Sequence, residues 1–259
     1  MIGIIIPAHN EELYLDACLH AARTAAADTA LNGEAVHITV VLDSCTDRSR
    51  AIVERHAAQS DTVCWIDHLC VDARNVGHAR AAGTRHMLEH GARWLAFTDA
   101  DTQVSPQWLS EQLRLNVDVV CGTVAVHDWA PHRHNAELLR SYFHDNYTDA
   151  DGHHHIHGAN LGVSAEAYLR AGGFEPLACS EDVALVKALE LSGARFAWSA
   201  APRVITSARC DAKARGGFGD TLLRYAESAR AAVEAAAAKY RTITLQDVAS
   251  HPPPRIIRK

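Results

Sequence analysis

The sequence predicts a single α/β domain with a mainly parallel central sheet and helices on both faces. Three observations carry that expectation. Up to about residue 124, short apolar runs alternate with longer stretches of helical period. The runs are apolar at consecutive positions, as in strands buried on both faces. Each of the main runs is followed at once by a polar cluster, and in sheets of this kind sites lie at the carboxyl ends of the strands. A chain of 259 residues is long enough for one such domain with a full core.

In order along the chain, Ile2 to Ile6 reads as a strand and Glu11 to Ala27 as a helix. Strands follow at His37 to Leu42 and, more briefly, Val63 to Ile66, with a helix from Asp47 to Ser60 between them. Asn75 to Glu89 is helical, Trp94 to Thr98 extended, Pro106 to Leu115 helical and Val117 to Val124 extended. From His127 to Gly158 the chain is rich in His, Asp and Asn with scattered apolar positions. That span reads as an irregular, functional excursion. Helices are expected again at Ala165 to Ala171 and Glu181 to Leu191, and a strand at Arg195 to Ala200. Thr221 to Tyr240 is alanine-rich with a helical period, and the tail from His251 carries prolines that a helix cannot absorb. The expected division is a domain over 1–220, with halves meeting near residue 124, then a terminal helix and loose tail over 221–259.

Bulk properties exclude some classes. The net charge of −6 supplies no basic field for nucleic acid. The apolar N-terminal run ends at Pro7 with no basic segment before it, unlike a signal peptide, and no run approaches the roughly 20 residues of a membrane span. Seven cysteines, none in C-x-x-C spacing, read as reduced thiols, which fits a cytoplasmic location.

The sharpest chemical signal is Asp99-Ala100-Asp101 directly after an apolar strand. Carboxylates at i and i+2 where a strand turns can place oxygen ligands around one hard divalent cation, Mn2+ or Mg2+, which would neutralise a diphosphate. An Asx-rich turn closing the strand is the alternative. Other strand ends carry Pro7-Ala8-His9-Asn10-Glu11-Glu12 and Asp43-Ser44-Cys45-Thr46-Asp47. Further on come Asn75-Val76-Gly77-His78-Ala79-Arg80, then Gly158-Ala159-Asn160, Gly172-Gly173-Phe174 and Ser180-Glu181-Asp182.

Taken together, these motifs resemble family 2 glycosyltransferases over roughly residues 2–200. The opening is similar to that family's P-x-x-N-E, and Asp99-Ala100-Asp101 to its metal-binding D-x-D. Leu42-Asp43 stands where the family usually has a pair of aspartates. The resemblance implies a GT-A fold, the fold of nucleotide-diphospho-sugar transferases. It also implies transfer of a sugar from a nucleotide donor, usually a UDP-sugar, to a saccharide, lipid or small metabolite. It places Pro7, Ala8, His9, Glu11, Asp43, Arg80, Asp99 and Ala100 at the donor. Pro7 to His9 would offer backbone contacts and a flat ring to the base, and Asp43 would accept from a base N–H. Asp43 could equally cap the helix that follows it, and Arg80 could be a surface arginine. Asp182, beside Glu181, would be the general base of an inverting reaction. The bland alternative is that both carboxylates sit in the first turn of a helix, where the dipole favours them.

His153, His155 and His157 would share one face if extended, to hold a metal or an anionic acceptor, or else lie in a solvated loop. Arg255, Arg258 and Lys259 are compatible with peripheral contact to anionic lipid, worth about 1 kcal/mol each, and equally with a solvated tail. Rival readings are a haloacid-dehalogenase-type phosphatase using Asp99 and Asp101, a sugar nucleotidyltransferase, and a binding module without turnover. The first expects its motif to open the fold, and the second a glycine-rich loop that Pro7 to Glu12 lacks.

Overall fold

The computed structural model describes residues 1–210, 219–220, 222–228 and 230–231. Its strands are β1 (Ile2–Ala8), β2 (Val36–Asp43), β3 (Cys64–Val71), β4 (Trp94–Phe97), β5 (Thr102–Val104), β6 (Val119–Gly122), β7 (Ala125–Val126), β8 (Leu161–Ser164), β9 (Phe196–Ser199) and β10 (Val204–Thr206). Its α-helices are α1 (Leu15–Ala26), α2 (Ser49–Ala57), α3 (Val76–Glu89), α4 (Trp108–Arg114), α5 (Ala136–Asn146), α6 (Ala165–Ala171) and α7 (Glu181–Leu191).

The main sheet has seven strands in the order β3-β2-β1-β4-β8-β6-β9. All neighbours are parallel except β8, which runs antiparallel to both β4 and β6. A smaller sheet, β5-β10-β7, stands beside it. The parallel strands β2, β1 and β4 end on one edge, and the side chains at Asp43, Ala8 and Asp99 follow from that alignment.

Alternation along β1 explains why the sheet is covered twice. Ile4 and Ile6 pack with Leu15 and Leu19 of α1, Val53 of α2 and Trp108 of α4. Ile5, between them, packs on the other face with Ala79 and Met87 of α3, Tyr168 of α6 and Leu185 of α7. All three isoleucines are fully buried, and each contributes about 1.5–3 kcal/mol relative to exposure. Close approach of α3 depends on Gly83, where a Cβ would lie 2.7 Å from Ile5 and 2.8 Å from Val41. Substituting any larger residue there would push α3 off the sheet, and α3 carries Arg80.

Several expected elements shift. The first helix begins at Leu15, because Glu11 and its neighbours form a turn pinned by Ser49 and Asp47 rather than a helical turn. The third strand is longer than expected, since it pairs with β2 along its whole length. Strands β5, β8 and β10 are too short to show a period in the sequence. The expected irregular excursion after His127 contains a short 3-10 turn and α5, whose sparse stripe of Leu139 and Phe143 packs with Val126, Trp129, Ala208, Leu222 and Ala226. The helix expected over Thr221 to Tyr240 is seen at 222–228 and 230–231. The remainder of it, and the tail with Arg255, Arg258 and Lys259, lies outside the described residues. Among the described residues no helix is long and apolar enough to cross a membrane.

Candidate active site

A cleft of about 720 Å³ opens where β1, β2 and β4 end, and the segments before α3, β8 and α7 complete its walls. It brings together Pro7, His9, Glu11, Asp43, Arg80, Asp99, Ala100, Asp101, Glu181 and Asp182 from five separate stretches of sequence read above. Ala8 lies at the end of β1 but is buried, and its carbonyl accepts from the Cys45 thiol.

On the β2 side, the His9 Nδ1–H donates to the Asp43 carbonyl at 2.7 Å, which fixes the ring at the mouth of the cleft. The Asp43 carboxylate receives backbone N–H groups from Ala73, Arg74 and Asn75 at 2.8–2.9 Å and the Ser44 hydroxyl at 3.0 Å. Burial pushes this carboxyl up, but those donors outweigh it and hold the group below its ordinary range. Asp43 therefore does not cap the helix after it. Asp47, just before that helix, accepts from Ser49 N, while Asp43 ties down the loop that leads into α3. Asn75 then caps α3 through a bond from His78 N.

The alternative of a surface arginine is excluded for Arg80, which is only 3% exposed. Its guanidinium bridges the carboxylates of Asp99 and Glu181, and among the described residues its buried Nε has no partner. Gly158 makes room for it, because a Cβ there would come within 2.5 Å of the guanidinium carbon. One buried cation thus holds the D-x-D turn against the start of α7.

Asp101 faces a second cation. Arg209 binds Glu11 through both terminal nitrogens, at 2.5 and 2.8 Å, and places Nε 3.3 Å from Asp101. Burial pushes the Asp101 carboxyl up to about 7; Arg209 opposes this, and the charges of Asp99 and Glu11 reinforce it. Arg209 carries no motif of its own, and only the buried Glu11 signals that a cation must sit there. The set could hold a hard divalent cation, because its donors are carboxylate oxygens and one of them is kept partly neutral for want of positive charge.

Glu181 is buried and committed to Arg80. Asp182 accepts one backbone N–H on each oxygen, from Val183 and Gly158, both at 2.8 Å, and keeps a free lone pair on each. Of the histidine run, His157 alone reaches the cleft. Burial pulls it down to about 4, against the opposing charge of Asp182, so it is neutral at ordinary pH. It pairs with the Tyr147 hydroxyl at 3.0 Å. His153 bonds the Cys121 carbonyl and His155 stacks on Tyr147, so the run lies within the fold rather than as an open ligand face.

The model for glycosyl transferase family 2 matches residues 3–170. No curated protein sequence matches the chain. Among solved structures, it is similar to S. aureus TarS 1–349 at 14% identity and a TM-score of 0.55, over 80% of this chain. The chain spans 60% of the length of that structure. It is similar to the mannosyltransferase PcManGT from Pyrobaculum calidifontis, solved with GDP-Man and Mn2+, at 18% identity and a TM-score of 0.56. That likeness covers 97% of this chain and 81% of the other. GalNAc-T7, solved with UDP, GalNAc and Mn2+, is 12% identical with a TM-score of 0.55, over 80% of this chain and 43% of its own. These likenesses establish the GT-A fold.

Proposed function

The chain belongs to glycosyl transferase family 2, and from that premise we propose that it moves a sugar from a nucleoside diphosphate donor to an acceptor hydroxyl with inversion. The observation that carries this reading is the Arg80 bridge, which sets Asp99 and Glu181 in one cleft at the carboxyl ends of the strands. Pro7, His9 and Asp43 form the shelf for the base. Asp43 Oδ2 has one lone pair on Asn75 N and another for a base N–H, which suits uracil. UDP in the TarS and GalNAc-T7 structures supports that choice, and GDP-Man in PcManGT keeps guanine as the alternative.

Asp99 and Asp101 are the residues to hold Mn2+ or Mg2+, with Ala100 between them against the donor. The Mn2+ in two of the similar structures supports a metal. When bound, the cation would neutralise charge on the departing diphosphate. Asp182 is the base: its free lone pairs take the acceptor's proton as the oxygen attacks the anomeric carbon. Glu181 positions Arg80 instead of taking a proton. His157, neutral and beside Asp182, lines the side from which the acceptor enters.

A thermal-shift screen of nucleoside diphosphates with and without Mn2+ tests the donor side, since a ligand of the folded state raises Tm by mass action. UDP with Mn2+ should give the largest rise. Equal shifts with and without a chelator would remove the metal, and no shift with any nucleotide would remove the donor site.

A further inference from the structure

Six residues back along β2 from Asp43, about 20 Å from the cleft at strand rise, lies a cluster that the transfer chemistry does not use. His37 of β2, His86 of α3 and His90 just beyond α3 bring a ring nitrogen each to within 4.8 Å of one another. None of the three lines the cleft. His86 and His90 are at i and i+4, the spacing that puts two imidazoles on one side of a helix. The sheet supplies the third.

The hydrogen bonds decide which nitrogen of each ring is available. His37 Nε2 is 3.0 Å and His86 Nε2 2.7 Å from Asp67 Oδ2. His90 Nδ1 is 2.8 Å from the His86 carbonyl. A carboxylate and a carbonyl only accept, so each ring must spend its N–H on that oxygen. What remains is one bare lone pair per ring: Nδ1 of His37, Nδ1 of His86 and Nε2 of His90. Among the described residues no hydrogen bond joins two of these rings, and their centroids are 4.3–5.5 Å apart. His37 is fully buried, and among the described residues its Nδ1 is an acceptor with no donor. Trp65, stacked on His37 at 4.5 Å, prevents the ring from turning to seek one.

We propose that His37, His86 and His90 form a metal site for a borderline-soft transition cation of the Zn2+ class, with Asp67 orienting two of its ligands. Imidazole nitrogens suit this class of ion, whereas the carboxylates of the cleft suit a hard one. A ligating histidine characteristically gives its other N–H to a carboxylate or carbonyl, as all three do here. His37 is buried and His90 exposed, so the ion sits at the surface with its fourth position open to water. The site clamps the end of α3 to β2, and α3 carries Arg80 at its opposite end. It stands independently of the transferase reading.

The test uses the full chain, stripped with a chelator and titrated with Co2+ as a visible stand-in for Zn2+. The parent should bind Co2+ with the absorption of nitrogen-ligated, four-coordinate cobalt, and Zn2+ should abolish that signal. His90 is exposed, so His90→Ala should fold, and it should bind Co2+ at least about 100-fold more weakly, beyond the loss typical of an orienting partner. His86→Ala should do the same. Equal binding by parent and His90→Ala, or no such absorption in the parent, overturns the site.

Discussion

Arg209 reaches Asp101 with its Nε, 3.3 Å from the carboxylate, while its terminal nitrogens hold Glu11. A positive charge therefore already stands beside the aspartate that the D-x-D motif offers to a metal. A divalent cation bound there, as proposed, would compete with Arg209 for the same oxygens.

That competition predicts a pH dependence. Burial pushes Asp101 up to about 7, and a metal ligand must be deprotonated. Mn2+ affinity in the presence of UDP should therefore rise about tenfold per pH unit below 7 and level off above it. Calorimetric titration from pH 5.5 to 8.5 measures this, and a flat profile would exclude Asp101 as a ligand. The same shift acts on folding. A folded-state pKa above the unfolded value gives stability that is present at low pH and lost as pH rises through about 7. With chelator at pH 8, Asp101→Asn should melt higher than the parent while losing transfer, and the difference in Tm should close at pH 5.

Arg80 predicts a stability pattern. Arg80→Met leaves Glu181 as an unpaired buried charge, at a cost of about 3–5 kcal/mol. Arg80→Met with Glu181→Leu removes both charges and should recover most of that loss in urea melts, without recovering transfer. If the double variant is no more stable than the single one, the ion pair is not what Arg80 satisfies.

Asp182→Asn keeps shape but cannot take a proton. Transfer should fall by about 10²–10⁴-fold, as for loss of a positioned base. Nucleotide binding, which rests on Asp43 and the Asp99 to Asp101 turn, should survive nearly intact. A near-normal rate would leave Asp182 as the first turn of α7 and nothing more.

The span from His127 to Gly158 predicts a change in protection. Its apolar residues Trp129, Leu139 and Phe143 form a small cluster separate from both faces of the main sheet. We therefore expect the part of the span before Tyr147, which carries this cluster, to close over the donor and exclude water. Amide exchange in α5 should slow when UDP and Mn2+ are added, and unchanged exchange would make it a fixed wall.

Much of the donor side was legible in the sequence because its elements are local. Ile2 to Ile6 and Trp94 to Phe97 are apolar throughout, and the polar cluster after each strand is contiguous. What stayed hidden depends on distance along the chain. Arg209 meets Glu11 across 198 residues, and nothing near either one announces the other. Asp43 reads as a binding residue or a cap for the next helix; it lines the cleft and also holds residues 73–75, a pairing set by the β2–β3 register, and it does not cap that helix. Helix α5 was masked by its own economy, since Leu139 and Phe143 alone are buried along it. The histidine run from 153 would share one face only if extended, and His154 takes a left-handed backbone conformation (φ 57°) that breaks that alignment.

The reversed direction of β8 has a consequence for how such an enzyme can diversify. Because β8 is antiparallel to β4, it is the approach to the strand, Gly158 and Ala159, that borders the cleft, and its exit points away. Of the span arriving there from β7, residues 147–157 are bonded back to the scaffold, whereas Trp129, Leu139 and Phe143 pack in a cluster of their own beside it, and length can vary there. That part can be exchanged for a longer or shorter piece without shifting a rung of the β1, β2 and β4 ladder. One half of the reaction can then be retargeted to a new hydroxyl while the machinery that activates the sugar stays as it was.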